Sequence, residues 1–342
     1  MHKNISILDC TLRDGGFALE DAEANNTKTK LFNKNLSLKF LNEIKNSKIE
    51  IIEVGAVEIS KEDKKKFNIY KSIESLSKII PKNSSKNMYA AMFRGPDIPE
   101  ELIPKWQSSL CKNVRVIIRY SEIKKSLDFC GMLSKKGYNV FVQPMVTSRY
   151  KYHQIKSLIN ACNKFKLYAL YIVDSYGLMK QEDVLRYFKI FNNGLKSNIK
   201  IGFHGHNNMN MAFSNAIALI SENSKRSIII DSSIMGMGQG AGNLQTELLT
   251  NYLNYKKKYK YKHILEACEI IEKFLDNNLW GYSVKNLIPA INNTAYKYSS
   301  YFKKKYNFTY SQINQILGNI PKKIKDQFTT KNAQKLLNTL KK

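Results

Sequence analysis

Cysteine is scarce and never paired along the chain: Cys10, Cys111, Cys130, Cys162 and Cys268 are odd in number and form no C-x-x-C. That excludes a disulfide framework and a cysteine-ligated zinc site, and it fits a reducing compartment. Long apolar runs are missing too. None approaches the ~20 residues of a membrane span. Met1-His2-Lys3-Asn4 leads straight into a short apolar strand rather than a charged-then-apolar signal segment. A cytoplasmic address without a membrane partner is expected. Acidic residues are few, 28 against 55 Lys and Arg, for a formal net charge of +27. A basic balance can mark nucleic-acid binding. Here no RNP-type motif, zinc finger or arginine-rich arm accompanies it. The excess is mostly lysine spread among Asn and Ile, the pattern of solvated helix faces, and no nucleic-acid partner is expected. Histidine is rarer still, with five in the chain.

The chain does have a regular alternation of apolar runs and amphipathic stretches. Its 342 residues, 43% hydrophobic and 24% charged, are enough for a large globular domain and a smaller one. The runs are Ile5–Cys10, Ile49–Gly55, Met88–Phe93, Val114–Arg119, Asn139–Met145, Tyr168–Asp174, Ile201–His206 and Ser227–Ser232. They are short, continuous, and rich in β-branched and aromatic residues, as in strands buried on both faces. Between them Leu36–Ile44 (with Ser37 as N-cap), Ile123–Leu133, Val184–Leu195 and Met211–Ile220 carry helical spacing. Alternating strands and helices imply a parallel sheet. Eight units predict a (β/α)8 TIM barrel over residues 1–255. A doubly wound sheet is the alternative, but no G-x-G-x-x-G follows the first strand. After Tyr255 a basic stretch, KKKYKYKH, opens a helical C-terminal domain, residues 256–342. Its predicted helices are Ile264–Leu275, Leu287–Tyr301, Ser311–Leu317 and Ala333–Leu340.

Two of the five histidines fall at one strand end, in His204-Gly205-His206. Residues i and i+2 of a strand point to one face, so two imidazoles meet at one point, an arrangement suited to a divalent metal. Active sites of such barrels lie at the C-terminal strand ends. The first strand ends in Asp9-Cys10-Thr11-Leu12-Arg13-Asp14-Gly15-Gly16. It lies close to the seventh in an eight-stranded ring, so Asp14 can complete a mixed His/carboxylate site. Arg13 can stabilise an enolate oxygen, or pair with Asp14 and cap the turn. After the eighth strand, Gly236-Met237-Gly238-Gln239-Gly240-Ala241-Gly242-Asn243 permits close backbone approach to a ligand. It fits neither the dinucleotide fingerprint nor the P-loop.

These motifs, TLRDGG, IEVG, VDS-x-G, FHGHNN and D-x-S…G-x-G-x-GAGN, occur in one order along the whole barrel. In that order they resemble the metal-dependent aldolase and lyase superfamily of 4-hydroxy-2-oxovalerate aldolases, hydroxymethylglutaryl-CoA lyases, and isopropylmalate and homocitrate synthases. VDSYG and GAGN are most similar to the 4-hydroxy-2-oxovalerate aldolase branch. The resemblance implies a TIM barrel and a carbon–carbon lyase acting through a pyruvate enolate. It implies Mn2+ or Mg2+ on Asp14, His204 and His206, Arg13 on the enolate, Ser175 on the keto-acid carboxylate, and Asn243 at the edge of the metal shell. Glu53 is expected in a buried structural role or in a substrate contact. The implied partners are a small 2-oxo acid, an acylating aldehyde dehydrogenase and further copies of the chain in a homo-oligomer.

The sequence departs from that pattern at Phe17, where the aldolase branch carries a histidine base. Tyr282 matches the branch's C-terminal tyrosine only with an offset. His153, His263 or a water molecule are the other groups able to move a proton. The departure leaves room for a related synthase or lyase with a larger, sugar-derived or acyl acceptor. It also leaves room for a degenerate barrel or binding module. A metal-dependent hydrolase is disfavoured, because those barrels carry H-x-H on the first strand.

Overall fold

The computed structural model describes residues 5–81, 88–254, 257–275 and 279–340. Nine strands form one parallel sheet: β1 (Ile5–Asp9), β2 (Ile51–Val57), β3 (Ile69–Tyr70), β4 (Met88–Phe93), β5 (Asn113–Ile118), β6 (Asn139–Pro144), β7 (Ala169–Asp174), β8 (Lys200–Gly205) and β9 (Ile228–Ser232). The order is β1-β9-β8-β7-β6-β5-β4-β2-β3, and β1 also pairs with β2. Leu8 is in register with Ile51 on one side and Asp231 on the other. This closes eight strands into a barrel and leaves β3 as a two-residue addition on its rim. Each predicted run is a barrel strand to within two residues at either end. Continuous apolar runs arise because helices cover the outside while side chains fill the inside, so β2 and β7 are buried at every position.

The helix Lys34–Asn46 is capped by Asn33, whose side chain accepts from Leu36 N at 2.9 Å. Ser37, the expected cap, lies inside the helix with its hydroxyl on Asn68 Oδ1. Asn33 has the extended backbone that a cap needs. The TLRDGG stretch, expected at the end of the first strand, opens the helix Thr11–Ala24.

Inside the barrel Leu8, Ile51, Ala90, Phe141, Tyr171 and Ile229 pack into an apolar plug. Tyr171 fits because its register partner is Gly202, where a Cβ would lie 2.3 Å from the ring. Asp9, at the end of β1, is buried and accepts hydrogen bonds from Thr11 and Thr246. Burial outweighs those bonds and pushes its carboxyl up to about 7.

Among the described residues no strand follows β9. Residue pair 255/256, where the domain division was drawn, lies outside the described residues. Beyond it, the helix Tyr261–Glu272 contributes Ile264, Ala267, Ile270 and Ile271 to the barrel's main core. A separate core, including Ile288, Tyr298, Phe302, Ile313, Leu317 and Leu336, holds together the helices Val284–Ile291, Lys297–Tyr306, Tyr310–Gly318 and Thr330–Leu340. The helix expected over Leu287–Tyr301 is therefore two. Asn293, with φ 51°, breaks it. This bundle covers the C-terminal end of the barrel. Asp326 accepts from Tyr120, Arg149 and Tyr176, which follow β5, β6 and β7. Lys297 pairs with Asp21 at 2.6 Å. All five cysteines are free thiols. Among the described residues no helix is long and apolar enough to cross a membrane.

Gly202→Ala is expected to lower unfolding free energy by about 1–3 kcal/mol through overpacking, read by urea denaturation at unchanged slope. Asp9 gives a pH test. Between its unfolded value of 3.8 and about 7, the folded chain binds the extra proton. Its contribution to stability therefore falls as pH rises through that window. Asp9→Asn should flatten that part of the stability–pH curve. An unchanged slope would mean that Asp9 is ionised in the fold.

Candidate metal centre

His204 is the penultimate residue of β8, and His206 follows it on the same side of the sheet. Their Nε2 atoms stand 3.3 Å apart with the rings nearly perpendicular, at 82°. His206 Nδ1 lies 3.2 Å from the Gln239 carbonyl oxygen, and His204 Nδ1 lies 3.0 Å from Asp231 Oδ2. Both partners accept only, so each Nδ1 carries a hydrogen and the two Nε2 atoms are the ones left to face each other. Burial pushes His206 down to about 4, against the pull of Asp14, so its ring is neutral at ordinary pH. A proton or a metal cation between the two Nε2 atoms satisfies both.

Asp14 supplies the balancing charge. Its carboxylate and the two imidazole nitrogens lie within 4.8 Å of one another, and all three residues are buried. Burial alone would raise Asp14. Arg13, both histidines and the Asn243 amide outweigh it and hold the carboxyl below its usual range. Asn243 donates Nδ2 to Asp14 Oδ2 at 2.5 Å, while its buried Oδ1 has no partner. Two imidazoles, a carboxylate and a free amide oxygen form a donor set that fits a divalent ion. Gly238 makes this approach possible, since a Cβ there would lie 2.3 Å from Asn243 Nδ2 and 2.8 Å from Asp14 Oδ2.

Arg13 makes the expected ion pair and also borders the cavity. It pairs with Asp14 through Nη1 at 2.6 Å, and its Nε also binds Glu53 at 2.8 Å. It still lines a cavity of about 510 Å³ above the centre. Ser175 lines it as well. Its Oγ accepts from Val146 N at 2.9 Å, which leaves the hydroxyl hydrogen for a ligand. Gln143 faces the same space, with a buried Nε2 that has no partner. The roof comes from the C-terminal bundle, through Tyr296, Lys297, Asp326 and Phe328.

Phe17 forms part of the wall, its ring 4.1 Å from the Arg94 guanidinium carbon and 5.5 Å from that of Arg13. It moves no proton. Tyr282 is 58% exposed and outside the cavity wall. Two tyrosines line the wall: Tyr176, whose hydroxyl donates to Asp326, and Tyr296, whose hydroxyl donates to Asp21 and accepts from Gln239 Nε2 at 2.9 Å. His153 and His263 do not line the cavity. His263 instead sits among Glu43 and Glu266, joining the helices Lys34–Asn46 and Tyr261–Glu272.

Sequence reading missed Arg115, Asp231, Gln143, Tyr296 and Asp326. Arg115 and Asp231 had a signal, each a charge set in an apolar run. Gln143 sat unremarked in the QPM strand end. Tyr296 and Asp326 had none, because only the packing of the bundle brings them to the barrel mouth.

The profile of the HMGL-like family matches residues 4–273. The chain belongs to the HMGL-like family. HMGL-like relatives include the 4-hydroxy-2-oxovalerate aldolase of Shewanella halifaxensis, 25% identical over 206 residues, which are 60% of this chain and 59% of that protein. The protein of the same name from Bacillus thuringiensis is 31% identical over 169 residues, 48% of each chain. The chain thus spans about half to three fifths of the curated relatives it matches. Among solved structures, the Bacillus subtilis HMG-CoA lyase superposes with a TM-score of 0.61 at 17% identity, covering 82% of this chain and 98% of that one. The carboxyl transferase domain of Rhizobium etli pyruvate carboxylase, solved with pyruvate, gives 0.68 at 11% identity, over 99% of this chain and 61% of that one. This likeness of fold includes the helical C-terminal region.

Mn2+ titrated into the protein is expected to bind at one site. Asp14→Asn should weaken it by at least about 100-fold, since losing even an outer partner of a ligand costs about 10- to 100-fold. Calorimetry would read this, and an unaltered isotherm would remove Asp14 from the centre.

Proposed function

We propose that this HMGL-like protein is a divalent-metal-dependent carbon–carbon lyase of the aldolase type. It makes or breaks a bond beside the keto group of a small 2-oxo acid through a pyruvate-type enolate. Asp14, His204 and His206 are the assigned ligands, with Asn243 beside them and Mn2+ or Mg2+ as the ion. The observation that carries the reading is the pair of Nε2 atoms facing each other 3.3 Å apart beside the Asp14 carboxylate, at the floor of a cavity that also presents Arg13. The relatives' name supports it.

When bound, the ion polarises the substrate's keto oxygen as a Lewis acid. The rest of the work falls to the chain. Arg13, held by Glu53, stabilises the negative oxygen that develops when the bond breaks. The Ser175 hydroxyl and the unpartnered Gln143 amide are donors for the substrate carboxylate. Phe17 excludes water from one wall. Tyr296 takes the proton-transfer role. Burial first, and then Asp21, push its phenol well above the usual range, so it keeps its proton at neutral pH. In the bond-forming direction it gives that proton to the new alkoxide oxygen, and cleavage is the reverse.

The acceptor is a larger carbonyl compound than a short aldehyde. The cavity of about 510 Å³ and its polar roof leave room for one. The five free thiols support a cytoplasmic setting.

The test is deuterium exchange at the methyl group of pyruvate, followed by NMR with and without Mn2+. Metal-dependent exchange is expected, and Asp14→Asn should abolish it. No exchange with any 2-oxo acid tried would overturn enolate chemistry. Tyr296→Phe should leave exchange in place while lowering turnover with an acceptor by about 100-fold or more.

A further inference from the structure

Beneath the cavity, a run of charges removed from solvent joins one assigned ligand to another. Arg13 reaches Asp14 through Nη1 at 2.6 Å and Glu53 Oε2 through Nε at 2.8 Å. The same Glu53 oxygen receives Arg115 Nη1 at 2.6 Å. Arg115 Nη2 bonds Asp231 Oδ2, and that oxygen lies 3.0 Å from His204 Nδ1. The signs alternate at every step from Asp14 to Asp231. Arg115 and Glu53 are 0% exposed and Asp231 is 1% exposed. Arg115 comes from β5, which supplies no ligand, and it is absent from the cavity wall.

The bonding is lopsided in an informative way. Glu53 Oε2 is shared by two arginines, and Asp231 Oδ2 by Arg115 and His204. Their other oxygens, Glu53 Oε1 and Asp231 Oδ1, are buried without partners. Each carboxylate therefore pivots on one atom, and both pivots lean on Arg115. The planar guanidinium offers two N–H directions at a fixed angle, so it can hold carboxylates from β2 and β9 at once. Its plane is further fixed by the Tyr171 ring, 5.1 Å away. A cluster so fully desolvated contributes little net stability, since apolar replacements of such clusters are often as stable or more so.

We propose that Arg115 is a positioning residue for the metal centre. Through Asp231 it fixes the orientation of His204, and through Glu53 it fixes Arg13, so metal affinity depends on a strand that carries no ligand. This rests on the metal reading given above.

Arg115→Lys keeps the charge and loses the fork. The variant is expected to fold, by circular dichroism and its unfolding midpoint, and to bind Mn2+ about 10- to 100-fold more weakly in a titration followed by electron paramagnetic resonance. A purely structural role would instead lower the midpoint and leave the folded protein's Mn2+ affinity unchanged, which would overturn the proposal. Absence of Mn2+ binding in the native protein would sink the metal reading itself, a separate result. If Arg115→Lys does not fold, the cycle of Glu53→Gln, Asp231→Asn and the double variant replaces it. Effects on Mn2+ affinity that depart from the product of the singles by more than about threefold support coupling through Arg115. Independent effects overturn it.

Discussion

Two imidazole Nε2 atoms brought to one point beside a buried carboxylate are the constraint around which the top of this barrel is built. The surrounding structure holds both rings in that arrangement. Hydrogen bonds from the Nδ1 atoms to Asp231 and Gln239 fix both rings and both tautomers. Asp14 adds negative charge, and Asn243, brought in over Gly238, keeps that carboxylate in place. Each supporting group lies at or just past a strand end, where the barrel leaves backbone free to turn inward.

Around this centre the charges nearly balance without solvent. Arg13 and Arg115 offset Asp14, Glu53 and Asp231, and the remaining negative charge is what a divalent cation would neutralise. Asp14 and Asp231 are both held below the ordinary carboxylate range despite burial. Asp9, the neighbouring buried carboxylate without an arginine, moves the other way. In Asp14 and Asp231 the nearest arginine leads the lowering causes, with the histidines adding to it, while burial alone would favour the neutral acid.

The C-terminal bundle turns an exposed barrel mouth into a cavity. It brings Tyr296 to the wall and anchors itself through Asp326 and Lys297 to segments that follow four different strands. In the proposed reaction the electrophilic half belongs to the barrel. The proton-moving half would be supplied by the C-terminal bundle, across from the apolar wall that Phe17 makes.

The sequence alone determined the eight strands, because burial on both faces forces continuous apolar runs whatever the partners are. It also pointed to the cluster proposed here as the ligand set, because His204 and His206 share a face by strand periodicity and Asp14 follows a strand that must close the ring beside them. The metal-side motifs were legible for that reason: they are local. Only the tertiary structure decided which tyrosines line the cavity, Tyr176 and Tyr296 and not Tyr282. It also placed Asp326 at the mouth and joined Arg115 to two carboxylates from distant strands. Those relations depend on the packing of segments far apart in the chain. No residue's local pattern encodes which remote side chain will lie 3 Å away once the barrel has closed and the bundle has docked on it.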